Sequence, residues 1–274
     1  MSYKINTFIK SDKVVASYEK RLSICIQTNG FSFSISSSDN ELLTFGDVDC
    51  DMSVQMSSLI HDIKAAFAEM EIIPYGFHGS ELVVASRQFV WIPQHLYDES
   101  KKRSYVEALC RIEPGMGVFS DYSDTVNATL VFTANSGIVS AFQIAAPGLN
   151  VRCQHSKMVN AGIVASSNMK SVLMINVRDG QSDFAVFCNK KLQISNTYEC
   201  VNFDETIYHA LNLTKQFHLD DVPLTAVICG DVDRESFGRI GSFFPEVILY
   251  TGGKMTLPVA EMQHLPLYRY ALMF

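Results

Sequence analysis

Three carboxylates stand beside turn-forming residues in the second half of the chain: Asp179 before Gly180, Asp231 after Gly230, and Asp233 before Arg234. Brought together, they could hold a divalent cation, which favours hard oxygen ligands. A simpler reading makes Asp179 a hairpin-turn residue and Asp233 the cap of a helix opening at Arg234, and we expect that reading to hold. Arg178 could meet an anion or remain a solvated turn residue. Other signatures are incomplete. Thr251-Gly-Gly-Lys254 ends like a phosphate loop, but the earlier glycine is missing and Pro258 stands where a helix should run. Gly115-Met-Gly117 is a dinucleotide fingerprint without its third glycine. The histidines lack ligand spacing, and no Gly-x-Ser-x-Gly elbow occurs. No catalytic or metal-binding set is expected.

Composition narrows the partner classes. The chain has 274 residues and a net charge of −7. Its one tight basic cluster is Lys101, Lys102 and Arg103, a run that usually marks a solvated helix face. Nucleic acid is therefore not an expected partner, because phosphate binding needs clustered cations. No apolar run is long enough to span a bilayer. Residues 1–20 carry four lysines and no apolar stretch, so no secretory leader is expected. The seven cysteines include no Cys-x-x-Cys pair, and Cys25, Cys188 and Cys229 lie in apolar runs. They read as small buried hydrophobes in a reducing compartment, which places the protein in the cytoplasm.

The elements that must position any site occur twice. Residues 22–26 are apolar, Asn29-Gly30 signals a type I′ hairpin, and Phe31, Phe33 and Ile35 alternate with serines as in a half-buried strand. Asp39-Asn40 turns the chain into a third strand over 42–45. A helix follows, with Met56, Leu59, Ile60, Ile63, Phe67 and Met70 on one face. The same order returns in residues 172–177, the I′ signal Asp179-Gly180, the alternating Phe184, Val186 and Cys188, the turn Asn189-Lys190, and a strand through Thr197. Asn202 and Glu205 then have capping-box spacing at the head of a helix reaching about 217, and a buried strand over 224–229 ends at Gly230. Strands are expected at 82–85, 89–92, 129–133 and 247–250, and helices at 100–111, 137–146 and 234–244. The apolar residues from Met262 to Phe274 should dock on the body as a helix or strand. The alternative is a patch that joins two copies of the chain.

This doubled hairpin-plus-helix unit resembles a family of uncharacterised Bacteroidetes proteins with the actin-like ATPase (ribonuclease H-like) fold. Residues 23–45, 81–97, 171–217 and 224–230 carry the resemblance. The second unit, Leu173-Met-Ile-Asn-Val-Arg-Asp-Gly with Asp183-Phe-Ala-Val-Phe, is also similar to the pilus-assembly protein PilM and the division protein FtsA. The resemblance implies an α/β chain of two similar domains, 1–168 with an insertion and 169–274. Each would have a mixed sheet of three antiparallel strands plus parallel strands, flanked by helices. It also implies two phosphate-binding hairpins, each with an Asp closing its first strand. The matching residues are Gln27, Thr28, Asn29 and Gly30 in the first hairpin, and Asn176, Arg178, Asp179 and Gly180 in the second. Gly230 and Asp231 match the adenosine motif. Gln27 and Asn176 replace the two acids with neutral amides, poor substitutes around hydrated Mg²⁺. The expectation is a non-catalytic binding or scaffold protein with a protein partner and no cofactor. The alternative is an ATPase or kinase using ATP and Mg²⁺ in the interdomain cleft.

Overall fold

Alternation of apolar and small polar residues gives the chain its hairpins, and the parallel strands are added through helices. The computed structural model describes residues 2–13, 16 and 19–274. β1 (Tyr3–Lys10) is an edge strand, followed by the meander β2 (Lys20–Gln27), β3 (Gly30–Ser37) and β4 (Leu42–Cys50). Helix α1 (Met56–Glu69) crosses over to β5 (Gly79–Val84), which pairs in parallel with β2. Next comes an inserted antiparallel sheet of β6 (Phe89–Pro93), β7 (Met116–Ser123) and β8 (Ala128–Asn135), with the short α2 (Lys102–Glu107). Helix α3 (Ser136–Ala145) leads to β9 (Asn150–Cys153), and α4 (Gln154–Ala165) connects the first sheet to the second.

The second unit repeats the plan with β10 (Ser171–Arg178), β11 (Gln181–Cys188), β12 (Lys191–Glu199), α5 (Phe203–Gln216) and β13 (Leu224–Gly230). It closes with α6 (Arg234–Ile240) and β14 (Glu246–Leu249). The sheet orders are β1-β4-β3-β2-β5-β9 and β12-β11-β10-β13-β14, which match once the edge strand β1 is set aside. Even a defect is duplicated: the register slips after Ile35 on β3 and after Val186 on β11, its counterpart. A shared bulge at one place in two sheets is a built feature of the unit.

Apolar faces set the cores. Phe31 and Phe33 from β3 pack with Phe67 of α1 and Phe142 of α3, at ring separations of 5.2–5.8 Å. In the second sheet, Leu173, Ile175, Phe184 and Val186 pack against Ala210 and Leu213 of α5. Asn202 caps α5, its side chain accepting from the Glu205 N–H, while the Glu205 carboxylate accepts from the N–H of Val201.

Several expectations are corrected. The hairpin turns are Thr28-Asn29 and Asp179-Gly180, set by the pairs Gln27 with Gly30 and Arg178 with Gln181. Neither is type I′, which needs positive φ at both residues: of these four only Gly180, at +67°, has it. Asn189-Lys190 does meet that requirement, at +49° and +64°. Gly30 instead begins β3, where a Cβ would lie 2.0 Å from the Val48 carbonyl oxygen. The serine face of β3 is also buried rather than wet, with Ser32 and Ser34 at 0 % and 3 % exposure. The expected helix over 100–111 shortens to a 3₁₀ turn (Glu99–Lys101) and α2, and α6 stops at Ile240. Strands β1, β7 and β9 and helix α4 were not expected. The segment after β14 forms two 3₁₀ turns, Ala260–His264 and Leu267–Met273, docked through Met262, Tyr270 and Met273 on Leu42 and Phe45.

Candidate functional site

The two hairpin turns open onto one cleft of about 590 Å³, within the range of roughly 300–1,000 Å³ usual for ligand pockets. Strands β2 and β10 lie at the centres of their sheets, and their C-terminal ends bring the two turns together. Gln27, Thr28, Asn29, Asn176, Arg178, Asp179, Gly230 and Asp231 all line the cleft. Gly30 and Gly180 do not. Gly230 is explained by packing, since a Cβ there would sit 2.0 Å from the Val177 carbonyl oxygen, and its φ is +89°.

The register corrects one equivalence. Gln27 closes β2 as Arg178 closes β10, so those two are counterparts, and Asn176 corresponds to Cys25. One row of residues therefore runs across each sheet at this level. In the first it is Asp47, Ser32, Cys25 and Val83. In the second it is Thr197, Asp183, Asn176 and Cys229.

The second row is a closed hydrogen-bonded network. Asp183, fully buried, accepts from Asn176 Nδ2 at 2.9 Å and from Thr197 Oγ1 at 2.7 Å. It also accepts from Arg178 Nε at 2.8 Å and from an Arg178 Nη at 2.7 Å, a bidentate fork. The His155 ring, carried on α4, places Nε2 2.8 Å from Thr197 Oγ1 and 3.5 Å from Asp183, and Nδ1 2.8 Å from Ser195 Oγ. Burial works to raise the Asp183 carboxyl, but the His155 ring and the Arg178 guanidinium outweigh it and hold the group far below the usual carboxylate range. Arg178 is thus neither a free anion contact nor a solvated turn residue.

The first row is looser. Gln27 Nε2 donates to Ser32 Oγ at 3.2 Å and to Asp47 Oδ1 at 3.4 Å, and Ser32 Oγ donates to the Met273 sulfur at 3.8 Å. Burial pushes the Asp47 carboxyl up. Asp231 pairs with Arg269 at 2.6 Å, and Asp233 caps α6 by accepting from the Ser236 N–H at 2.7 Å. Among the described residues, no three His, Cys, Asp or Glu side chains could hold a metal ion together.

Sequence reasoning missed Asp47, Asp49, Arg269, Tyr270 and Met273, all of which line the cleft. The alternation Asp47-Val48-Asp49 was a usable signal for two acids on one strand face. The others had none, because the segment Leu267–Met273 reaches the cleft through tertiary packing. The lining holds the cations Arg178 and Arg269 and the carboxylates Asp47, Asp49, Asp179 and Asp231, two negative charges in excess. Both cations are already paired with carboxylates. Such a surface repels a polyphosphate and attracts a cationic side chain.

Residues 10–247 match the model of a family described as protein of unknown function (DUF3822), and the chain belongs to that family. A crystal structure of a Bacteroides thetaiotaomicron protein with actin-like ATPase fold and unknown function matches with a TM-score of 0.71. Its identity is 21 %, over 85 % of this chain and 91 % of that one. The PilM-PilN type IV pilus biogenesis complex contains a chain that matches with a TM-score of 0.60 at 11 % identity, over 94 % of this chain and 97 % of that one. No curated protein matches the sequence. The chain has the actin-like ATPase fold, and its two sheet-and-helix units repeat one plan, as the resemblance implied. No helix among the described residues is long and apolar enough to cross a membrane.

Proposed function

We propose that this chain is a non-catalytic binding protein whose cleft, between domains 1–168 and 169–274, recognises a protein partner in the cytoplasm. The observation that carries this reading is the commitment of Arg178 to the buried Asp183, beside a cleft lined by unbalanced carboxylates. A phosphate-binding hairpin needs free donors and positive potential; this one has its guanidinium tied into the sheet. The residues present do not suit ATP with Mg²⁺: Gln27 and Arg178 close the two central strands where carboxylates would be needed, and burial disfavours the charged form of Asp47. The excess of carboxylates suits a partner segment that presents Lys or Arg. The PilM-PilN complex is one case of a protein of this fold captured with a partner.

A second reading, nucleotide binding in the same cleft, draws on its ligand-sized volume and on the two turns that face it. Titration calorimetry with ATP and ADP, with and without Mg²⁺, separates the two. We expect no binding heat at about 1 mM nucleotide. Micromolar, Mg²⁺-dependent binding that weakens in Asp179→Ala or Asp231→Ala would establish the second reading and remove the first.

A further inference from the structure

The serine face of the first sheet carries another cavity, of about 390 Å³, at the low end of the roughly 300–1,000 Å³ typical of small-molecule sites. Met273 lines both this cavity and the cleft, so the segment Leu267–Met273 stands between them. The two differ sharply in charge. Among its lining side chains, the second cavity sets Arg21, Arg152, Lys157 and Lys254 against one carboxylate, Glu81, in a chain whose net charge is −7.

Two of these cations are answered. Lys157 Nζ lies 2.6 Å from Glu81, which also accepts from Ser23 Oγ at 2.8 Å, and Arg152 pairs with the buried Asp121. Arg21 and Lys254 have no ion-pair partner among the described residues, and both are exposed. Gathering like charges in a concave site is unfavourable unless an anion is bound there. The hydroxyls of Ser34 and Ser36 line the same cavity, and neither has a hydrogen-bond partner among the described residues. Facing the cavity, they can donate to a ligand's oxygen atoms. Leu22, Met255 and Phe274 add apolar lining to the same cavity.

We propose that this serine-lined cavity binds a small organic phosphate, with its oxyanion between Arg21 and Lys254 over the serine hydroxyls and its apolar body against Met255 and Phe274. The site is separate from the cleft, with Met273 as a shared wall. Phosphate recognition is thus displaced from the hairpins of this fold to the opposite end of the same sheet face.

Calorimetric titration of the full chain with phenyl phosphate, and with inorganic phosphate for comparison, tests the assignment. We expect phenyl phosphate to bind more tightly than inorganic phosphate, and both to weaken with rising salt. The double variant Arg21→Ser with Lys254→Ser should lose at least about tenfold in affinity while melting at the wild-type temperature, because both side chains are exposed. The control is Lys101→Ser with Arg103→Ser, which removes the same charge from exposed positions on the inserted unit. It should keep wild-type affinity. Absence of binding at about 10 mM phenyl phosphate, an unchanged affinity in the first double variant, or an equal loss in both would overturn the proposal.

Discussion

The β2–β3 and β10–β11 hairpins share a strand order, a two-residue turn and a bulge, yet they treat the same row of positions in opposite ways. In the second sheet an acid occupies the row's second position, Asp183, and its hydrogen-bond and ion-pair partners keep it charged against burial. In the first sheet that position is Ser32, and the acid has moved one strand outward to Asp47, where burial acts against its charge. The backbone therefore does not dictate the chemistry of the cleft. One half has become an internally satisfied network, and the other a looser polar face, bordered by one cavity on the cleft side and another at its far end.

The largest expected effect breaks this asymmetry at its centre. Asp183→Ala leaves Arg178 and Asn176 facing an apolar gap, so it should lower the unfolding free energy by about 3–5 kcal/mol, the usual cost of removing one member of a buried ion pair. Ser32→Ala, at the counterpart position, should cost no more than about 1 kcal/mol. Urea denaturation of both variants decides the matter, and equal costs would mean the two rows are energetically alike. The pH dependence has a definite sign. The folded-state pKa of Asp183 is depressed, so its contribution is complete above the ordinary carboxylate range and is lost as the pH falls below that range. The Asp183→Asn variant should show a flatter loss of stability in acid than the wild type.

A smaller effect sharpens the comparison at the turns. Gly30→Ala would drive a methyl into the Val48 carbonyl, a backbone atom that cannot move aside, and should cost about 3 kcal/mol. Gly180→Ala meets nothing within 4 Å and is opposed only by its left-handed φ, so about 1 kcal/mol is expected. The ranking is checked by denaturant midpoints; a reversed order would show that turn conformation, not strand approach, sets the glycine requirement.

The duplicated unit was legible because its signals are local. Alternation at Phe31, Phe33 and Ile35, the helical face of α1 and the cap at Asn202 each report on a few neighbouring residues. Helix α4 was not legible: its buried residues include Gln154, His155 and Ser156, polar side chains held by partners remote in sequence. Strand β1 was legible in principle, since Tyr3, Ile5 and Ile9 alternate with exposed residues, but Thr7 at an inward position and Phe8 at an exposed one broke the apolar period. Of the candidate site, the turns were found and the charge balance was not. Whether Arg178 faces a ligand or its own Asp183 depends on a side chain five residues away across a hairpin, and a strand pattern does not encode that choice.

The smallest expected effect concerns the acid that moved. Burial raises the Asp47 carboxyl, with Asp49 adding to the rise and hydrogen bonds from Asn6 and Gln27 opposing it. A raised folded-state pKa means that the fold favours the protonated form, so ionised Asp47 costs stability at neutral pH, and the cost is relieved as the pH falls through the raised value. Asp47→Asn keeps an acceptor for Gln27 and removes the charge. It should stabilise the protein by about 0.5 kcal/mol near neutral pH. Thermal melts of wild type and variant should converge in acid, where Asp47 is neutral in both folded and unfolded chains. A variant less stable than the wild type at neutral pH would mean that the Asp47 charge is held by its neighbours as firmly as that of Asp183. The two rows would then differ only in where the acid stands.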